Sequence, residues 1–272
     1  KHQQSQTTNF RGKQYRSHIQ IRTLQVFYSR KFTIKLNKMK IKLLFLFILS
    51  ITISCELQNR EGDFKILPHP QEWIISGNSS LDASDIKYYF NASGHALPPG
   101  SDFLADVKST DDKNQAQLVY TVNTELDLKA EGYMMDIGTN QIQITAKDQA
   151  GLLYGLATLE QLIEDAKEQK VKLPSCQIKD YPLLSYRAIH WDIKHHRETL
   201  EYYYGLIDKL KKYKINAIIA EVEDKIKYKR QPLVGSSDAL TIEEWKKLSE
   251  YAHERNISIS PLVQGLGHAS FV

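Results

Sequence analysis

The chain has 272 residues, 42% hydrophobic and 25% charged, an ordinary composition for one large globular domain or two smaller ones. Its formal charge of +4 hides an uneven distribution. Residues 1–54 hold eleven Lys or Arg and no acid, whereas from Cys55 onward 25 basic residues face 32 acidic ones, a net charge of −7. An acidic folded part argues against a nucleic-acid partner, and two cysteines, Cys55 and Cys176, argue against a disulfide framework.

Residues 1–38 are basic, rich in Gln and Ser, and read as a disordered, probable non-native upstream extension. Residues 39–54, "MKIKLLFLFILSITIS", have two lysines, an apolar run from Leu43 to Ile53, and a small residue. That is the order of a secretory signal, and the run is too short to span a bilayer. Cys55 directly after Ser54 resembles the cleavage box of a bacterial lipoprotein. It implies an exported protein, lipidated on Cys55 and anchored at the cell envelope, with Thr52 standing where Leu is usual. Residues 55–63 are polar and read as a tether.

From residue 64 to about 178 the pattern predicts a small α+β domain. "FKILPHPQEWIIS" alternates and reads as an edge strand interrupted by prolines, and "AQLVYTVN" as a second strand. "GYMMDIGTNQIQITAK" reads as a hairpin turning at Gly138-Thr139-Asn140. Leu152, Leu156, Leu159, Leu162 and Ile163 then recur at helical spacing. Cys176 reads as a small buried side chain. The glycosylation patterns at Asn78 and Asn91 read as chance matches behind a bacterial-type signal.

Residues 181–272 change character. "YRAIHWDI", "INAIIAEVED" and "ISISPLVQ" read as strands, separated by helical patterns in "TLEYYYGLIDKLKKYK" and "TIEEWKKLSEYAHERN"; the second helix opens on a Thr241/Glu244 capping box. This is β-α-β-α-β with parallel strands, and polar residues gather where each strand ends: Asp192, then Glu223 and Asp224, then Gln264 to His268. Active sites form at such carboxyl ends in barrels and in open sheets alike.

Arg187 opens the first of these strands and is read either as reaching a ligand or as an internal ion pair. Glu221 and Glu223 share a face and can handle protons or a cation. Asp224 and His268, the latter between Gly267 and Ala269, can form a carboxylate–imidazole pair. "HWDIKHH" offers His190, Asp192, His195 and His196 to zinc, but neighbours on a strand point to opposite faces, so no metal site is expected. "GLGHAS" lacks the third glycine of a dinucleotide fingerprint, and no cofactor is expected.

"AGLLYGLATLEQL" ahead of "LPSCQIKDYPLLSYRAIHWDI" resembles the junction between the small α+β domain and the catalytic (β/α)8 barrel of family 20 glycoside hydrolases, the β-N-acetylhexosaminidases. "KINAIIAEVEDK" resembles that family's second barrel strand at Lys214, Asn216 and Asp224, in a divergent branch with Glu-x-Glu-Asp-Lys. Gly267-His268 resembles the pair that ends its third strand. The resemblance implies an α/β chain: the α+β domain followed by the first three β/α units of a truncated TIM barrel. It implies removal of terminal N-acetylglucosamine or N-acetylgalactosamine from glycans by a substrate-assisted retaining mechanism. It gives Arg187 a role in binding sugar hydroxyls, and makes Asp224 and His268 supports of the catalytic acid. The family's adjacent Asp-Glu pair is expected beyond Val272, since no Asp-Glu dipeptide occurs in the chain. Two other readings compete: a non-catalytic carbohydrate-binding lipoprotein, and a metal-dependent hydrolase.

Overall fold

A computed structural model describes residues 62–79, 81–194 and 196–264. The extension, the signal segment, Cys55, most of the tether and His268 lie outside the described residues.

The small domain is one seven-stranded sheet with a long helix on one face. Its strands are β1 (Glu72–Asn78), β2 (Tyr88–Asn91), β3 (Lys108–Ser109), β4 (Leu118–Val122), β5 (Tyr133–Ile137), β6 (Ile142–Ala146) and β7 (Pro174–Asp180). They lie in the order β1-β7-β5-β6-β4-β2-β3. The β5–β6 hairpin pairs Ile137 with Ile142, the register its alternation predicts. Tyr133, Met135, Ile137, Ile142 and Ile144 point to the buried face. The helix α1 (Gln149–Gln169) covers them with Leu152, Leu156, Leu159, Leu162 and Ile163. Asp148 caps α1 by accepting the Gly151 N–H at 2.7 Å. Gly151 lets the helix approach β5 closely: a Cβ there would lie 2.4 Å from the Gly132 carbonyl oxygen.

The expected strand at residues 64–76 forms only from Glu72. Pro68 and Pro70 have no N–H to give to a ladder. Side chains of α1 satisfy the upstream backbone instead. Asp165 accepts the Lys65 N–H at 2.7 Å, and Gln161 accepts from Leu67 N at 2.8 Å and donates back to its carbonyl at 2.9 Å. At the other end β7 continues to Asp180, two residues past the boundary read from the sequence.

The second half is a three-stranded parallel sheet, β8 (Ala188–Asp192), β9 (Ala217–Glu221) and β10 (Ser258–Leu262), in the order β10-β9-β8. Helices α2 (Leu200–Lys212) and α3 (Ile242–His253) provide the crossovers. The Thr241/Glu244 capping box is present: Thr241 Oγ1 accepts the Glu244 N–H at 3.1 Å, and the Glu244 carboxylate accepts the Thr241 N–H at 2.7 Å. Both helices pack on one face of the sheet, where Trp191, Ile218, Ala220, Tyr203, Ile207 and Leu248 form a single core. By alternation His190, Asp192, Ile219, Glu221 and Ser260 lie on the other face.

Candidate functional site

The three parallel strands are in register, so their ends converge: Asp192 pairs with Glu221, and Glu221 with Leu262. At this carboxyl end, on the face away from the helices, Glu221 is the hub. Its carboxylate is 4% exposed. It lies 3.1 Å from His190 Nε2, 3.0 Å from Lys194 Nζ and 2.5 Å from the Gln264 amide nitrogen. The Gln264 N–H and the Lys194 ammonium hold the Glu221 carboxyl below its ordinary value. Lys194 also meets Asp192 at 2.6 Å, and that bond, more than the one to Glu221, raises the lysine above its ordinary value. The result is an ionised, hydrogen-bonding cluster on a half-open face. The sequence places Asp192 and Gln264 at strand ends and offers His190 only as a zinc candidate; it does not point to Lys194. The alternation of His190 and Asp192, carried on to Lys194, was the available signal.

Beyond Glu221 the chain turns sharply through Glu223, whose φ is +39°. The turn is stapled from behind. The Asp224 carbonyl accepts the Ser236 N–H at 2.8 Å, the Tyr228 hydroxyl donates to the Glu223 carbonyl at 2.8 Å, and Lys225 Nζ meets Asp238 at 3.1 Å. Asp224 Oδ2 lies 3.3 Å from Lys225 Nζ. Its Oδ1 and the Oε1 of Glu223 are buried and find no hydrogen-bond partner among the described residues.

The zinc candidates separate. His190 faces Glu221, His196 Nε2 faces Glu198 at 3.0 Å, and His195 lies outside the described residues. No group of three or more His, Cys, Asp or Glu is placed to hold a metal among the described residues. Cys176 is buried in β7, and burial pushes its thiol up to about 11.

Arg187 requires a correction. It precedes β8, at the amino end of the parallel strands, and so stands at the opposite end from Asp192, Glu221 and Asp224. Its guanidinium is spent on the small domain: 2.7 Å to Glu131, 3.0 Å to the Tyr154 hydroxyl, and further bonds to the Leu184 and Lys214 carbonyls. An arginine at the first position of a strand points its chemistry at whatever lies under that strand's beginning, and here that is α1 and β5. The ion-pair alternative describes it; binding of sugar at the carboxyl end does not.

Arg187 is one member of a docking network that sequence reasoning missed. Lys214, 6% exposed, meets Asp180 at 2.6 Å and the Tyr133 hydroxyl at 3.1 Å. The Asn256 amide donates to the Tyr154 hydroxyl at 2.8 Å and to Glu131 at 3.2 Å. Asn216 donates to the Ser185 carbonyl at 2.8 Å. Burial pushes the Tyr154 hydroxyl up to about 12 and Tyr133 well above its ordinary range. It also lowers Lys214, an effect that Asp180 partly offsets. Lys214 and Asn216, matched to a barrel motif by resemblance, thus fasten the second sheet to the first.

Comparison with known proteins agrees with this two-part layout. Residues 63–181 match the family model "Glycosyl hydrolase family 20, domain 2". A β-hexosaminidase of Porphyromonas gingivalis is 27% identical over 248 residues, 79% of this chain and 32% of its own length. One from Vibrio vulnificus is 22% identical over 237 residues, 75% of this chain and 28% of its own. Over residues 63–181 the chain is thus similar to family 20 glycoside hydrolases, and the relatives named here are β-hexosaminidases. Among solved structures, the Flavobacterium johnsoniae chitobiase is 25% identical with a TM-score of 0.63, covering 76% of this chain and 35% of that one. The Bacteroides fragilis β-N-acetylhexosaminidase has a TM-score of 0.64 at 22% identity, covering 76% of this chain and 46% of that one, and shares the fold. The chain spans about a third of the length of the curated relatives it matches.

Proposed function

We propose that this chain is the part of an exported β-N-acetylhexosaminidase that holds the small domain and the first three β/α units of its (β/α)8 barrel. The observation that carries the reading is the carboxyl end of β8–β10: an ionised Glu221–Lys194 pair beside His190 and the buried Oδ1 of Asp224. In this reading the cluster takes the role first given to Arg187. Carboxylate and ammonium side by side suit a pair of neighbouring sugar hydroxyls, one donating to Glu221 and one accepting from Lys194.

As the resemblance implies, Asp224 and His268 would form a pair that supports a catalytic acid, which an adjacent Asp-Glu pair of the whole enzyme would supply. The substrate's 2-acetamido oxygen attacks the anomeric carbon while the Glu protonates the leaving oxygen, and water then opens the cyclic intermediate with retention. No step calls for a cofactor. Export through the segment at 39–54 and lipidation of Cys55 would place this chemistry at the bacterial envelope, acting on glycans that end in N-acetylhexosamine. Mass measurement of the mature N-terminus tests the anchor.

The functional test has two arms. N-acetylglucosamine titrated into the chain should bind, and Glu221→Gln or Lys194→Met should weaken binding about tenfold or more. The product of the reading frame continued past Val272 should hydrolyse an aryl β-N-acetylglucosaminide and lose turnover on Asp224→Asn. Binding without turnover in that longer product would favour the non-catalytic carbohydrate-binding reading. Absence of both would end the carbohydrate reading of this face.

A further inference from the structure

A groove of about 290 Å³ opens between the two halves at the amino ends of β8 and β9, lined in part by Pro68, His69, Tyr181, Pro182, Leu183 and Leu184. Its rim is apolar and exposed. Leu183 is 71% exposed and Leu184 69%; Tyr186, near them in sequence, is 55% exposed, and Leu67, next to Pro68, is 58% exposed. The two segments that build it, 66–71 (ILPHPQ) and 181–186 (YPLLSY), hold no Asp, Glu, Lys or Arg, in a chain where a quarter of residues are charged. Arg187 and Lys214 also line the groove, but both are committed to Glu131 and Asp180. The two segments themselves therefore carry no charge, although Lys129 Nζ sits over the Tyr181 ring, 4.9 Å from its centroid. An uncharged cluster of exposed Leu and Tyr on a charged surface marks contact with something apolar.

The chain itself says what that is. Leu67 lies twelve positions after Cys55 in the sequence, at most about 40 Å along a fully extended chain. We infer that this groove rests on a lipid bilayer, an inference that builds on the lipid-anchor reading of Cys55. Leu and Tyr without charge suit the interface of a zwitterionic bilayer, where an apolar side chain gains by burial and the Tyr hydroxyl stays wet. The rim adds an apolar contact beside the lipidated Cys55 and fixes how the domain sits on the surface. The arrangement also orients the site. Arg187 marks the amino end of β8 near the groove, and Asp192 its carboxyl end, about 15 Å further on. The Glu221 cluster then faces away from the membrane, toward glycans.

The test couples the full-length chain through the Cys55 thiol to maleimide lipids in phosphatidylcholine vesicles; Cys176 is buried. Coupling supplies the tether whether or not cells lipidate Cys55. Amide hydrogen exchange is compared with the same protein coupled to a soluble maleimide. Exchange across residues 181–186 should slow at least about tenfold on vesicles, while residues 229–236, which follow the carboxyl end of β9, should not change. Leu183→Glu with Leu184→Glu alters only exposed side chains and should abolish the protection without altering coupling. Unchanged exchange at 181–186, or equal protection at 229–236, overturns the inference. So does protection that grows with protein concentration in the absence of vesicles, which would assign the groove to a second copy of the chain. The mass of the mature N-terminus separately decides the lipidation reading, so the two failures are distinguishable.

Discussion

Replacing Asp180 by Asn probes the junction between the two halves. The Asp180–Lys214 pair is 2.6 Å apart, with the two residues 7% and 6% exposed. At an effective dielectric of about 20 the attraction is about 6 kcal/mol. Desolvating two ions costs several kcal/mol each, so the intact pair contributes little net stability. Removing one partner is different. Lys214 stays buried with only neutral partners, the Tyr133 hydroxyl and the new amide oxygen, and breaking such a charge pair costs about 3–5 kcal/mol. Burial already lowers Lys214, and Asp180 is what raises it back, so in the variant it falls further. A lysine depressed in the folded state is protonated more readily in the unfolded chain. Stability then rises with pH between the folded value and the ordinary 10.5, and the deficit is complete below that window. Asp180→Asn should therefore lose about 3–5 kcal/mol in urea unfolding at pH 7 and recover part of it toward pH 10. The double variant Asp180→Asn with Lys214→Met, which buries no charge, should return to within about 1 kcal/mol of the parent. A loss below about 1 kcal/mol for the single variant, or a double variant no better than the single, would refute the argument.

Three further outcomes follow from named contacts. Gly151→Ala should destabilise by about 1–3 kcal/mol despite alanine's higher helix propensity, because its Cβ would meet the Gly132 carbonyl at 2.4 Å; thermal unfolding reads this, and a gain in stability would contradict the close approach. Thr241→Ala should cost about 1 kcal/mol through loss of the capping box that opens α3, as measured by urea unfolding. The Glu221 carboxyl should titrate by NMR below the ordinary 4.5, so the stability it contributes is present above that value and is lost as pH falls through the folded one. Gln264→Leu, which removes the largest cause of that lowering, should bring the midpoint back up.

Local patterns carried most of the fold. The β5–β6 hairpin, the leucine stripe of α1, the capping box of α3 and the parallel order of β8–β10 all come from contacts close in sequence or from periodicity, and both are written in the chain. Strand β2 and the two-residue β3 escaped that reading because they are short and only partly buried or exposed, so no alternation marks them. The edge segment at 64–71 misled it, because prolines removed the donors and α1 side chains took the place of a ladder.

The same distinction runs through the site. Acids and histidines at strand ends were visible as residue types, and Asp224 stands at the carboxyl end of β9 as its place in the pattern predicts. Which end of a strand a side chain serves, and which partner consumes it, depends on groups tens of residues away. Arg187 looked like a ligand-binding residue until Glu131 and Tyr154, 56 and 33 residues earlier in the chain, closed around it. Lys214 looked like a motif position until Asp180 and Tyr133 appeared beneath it. Hydrophobic periodicity is a property of one segment and survives translation into sequence. A buried charge is defined by its neighbours, and only the folded chain brings them within 3 Å.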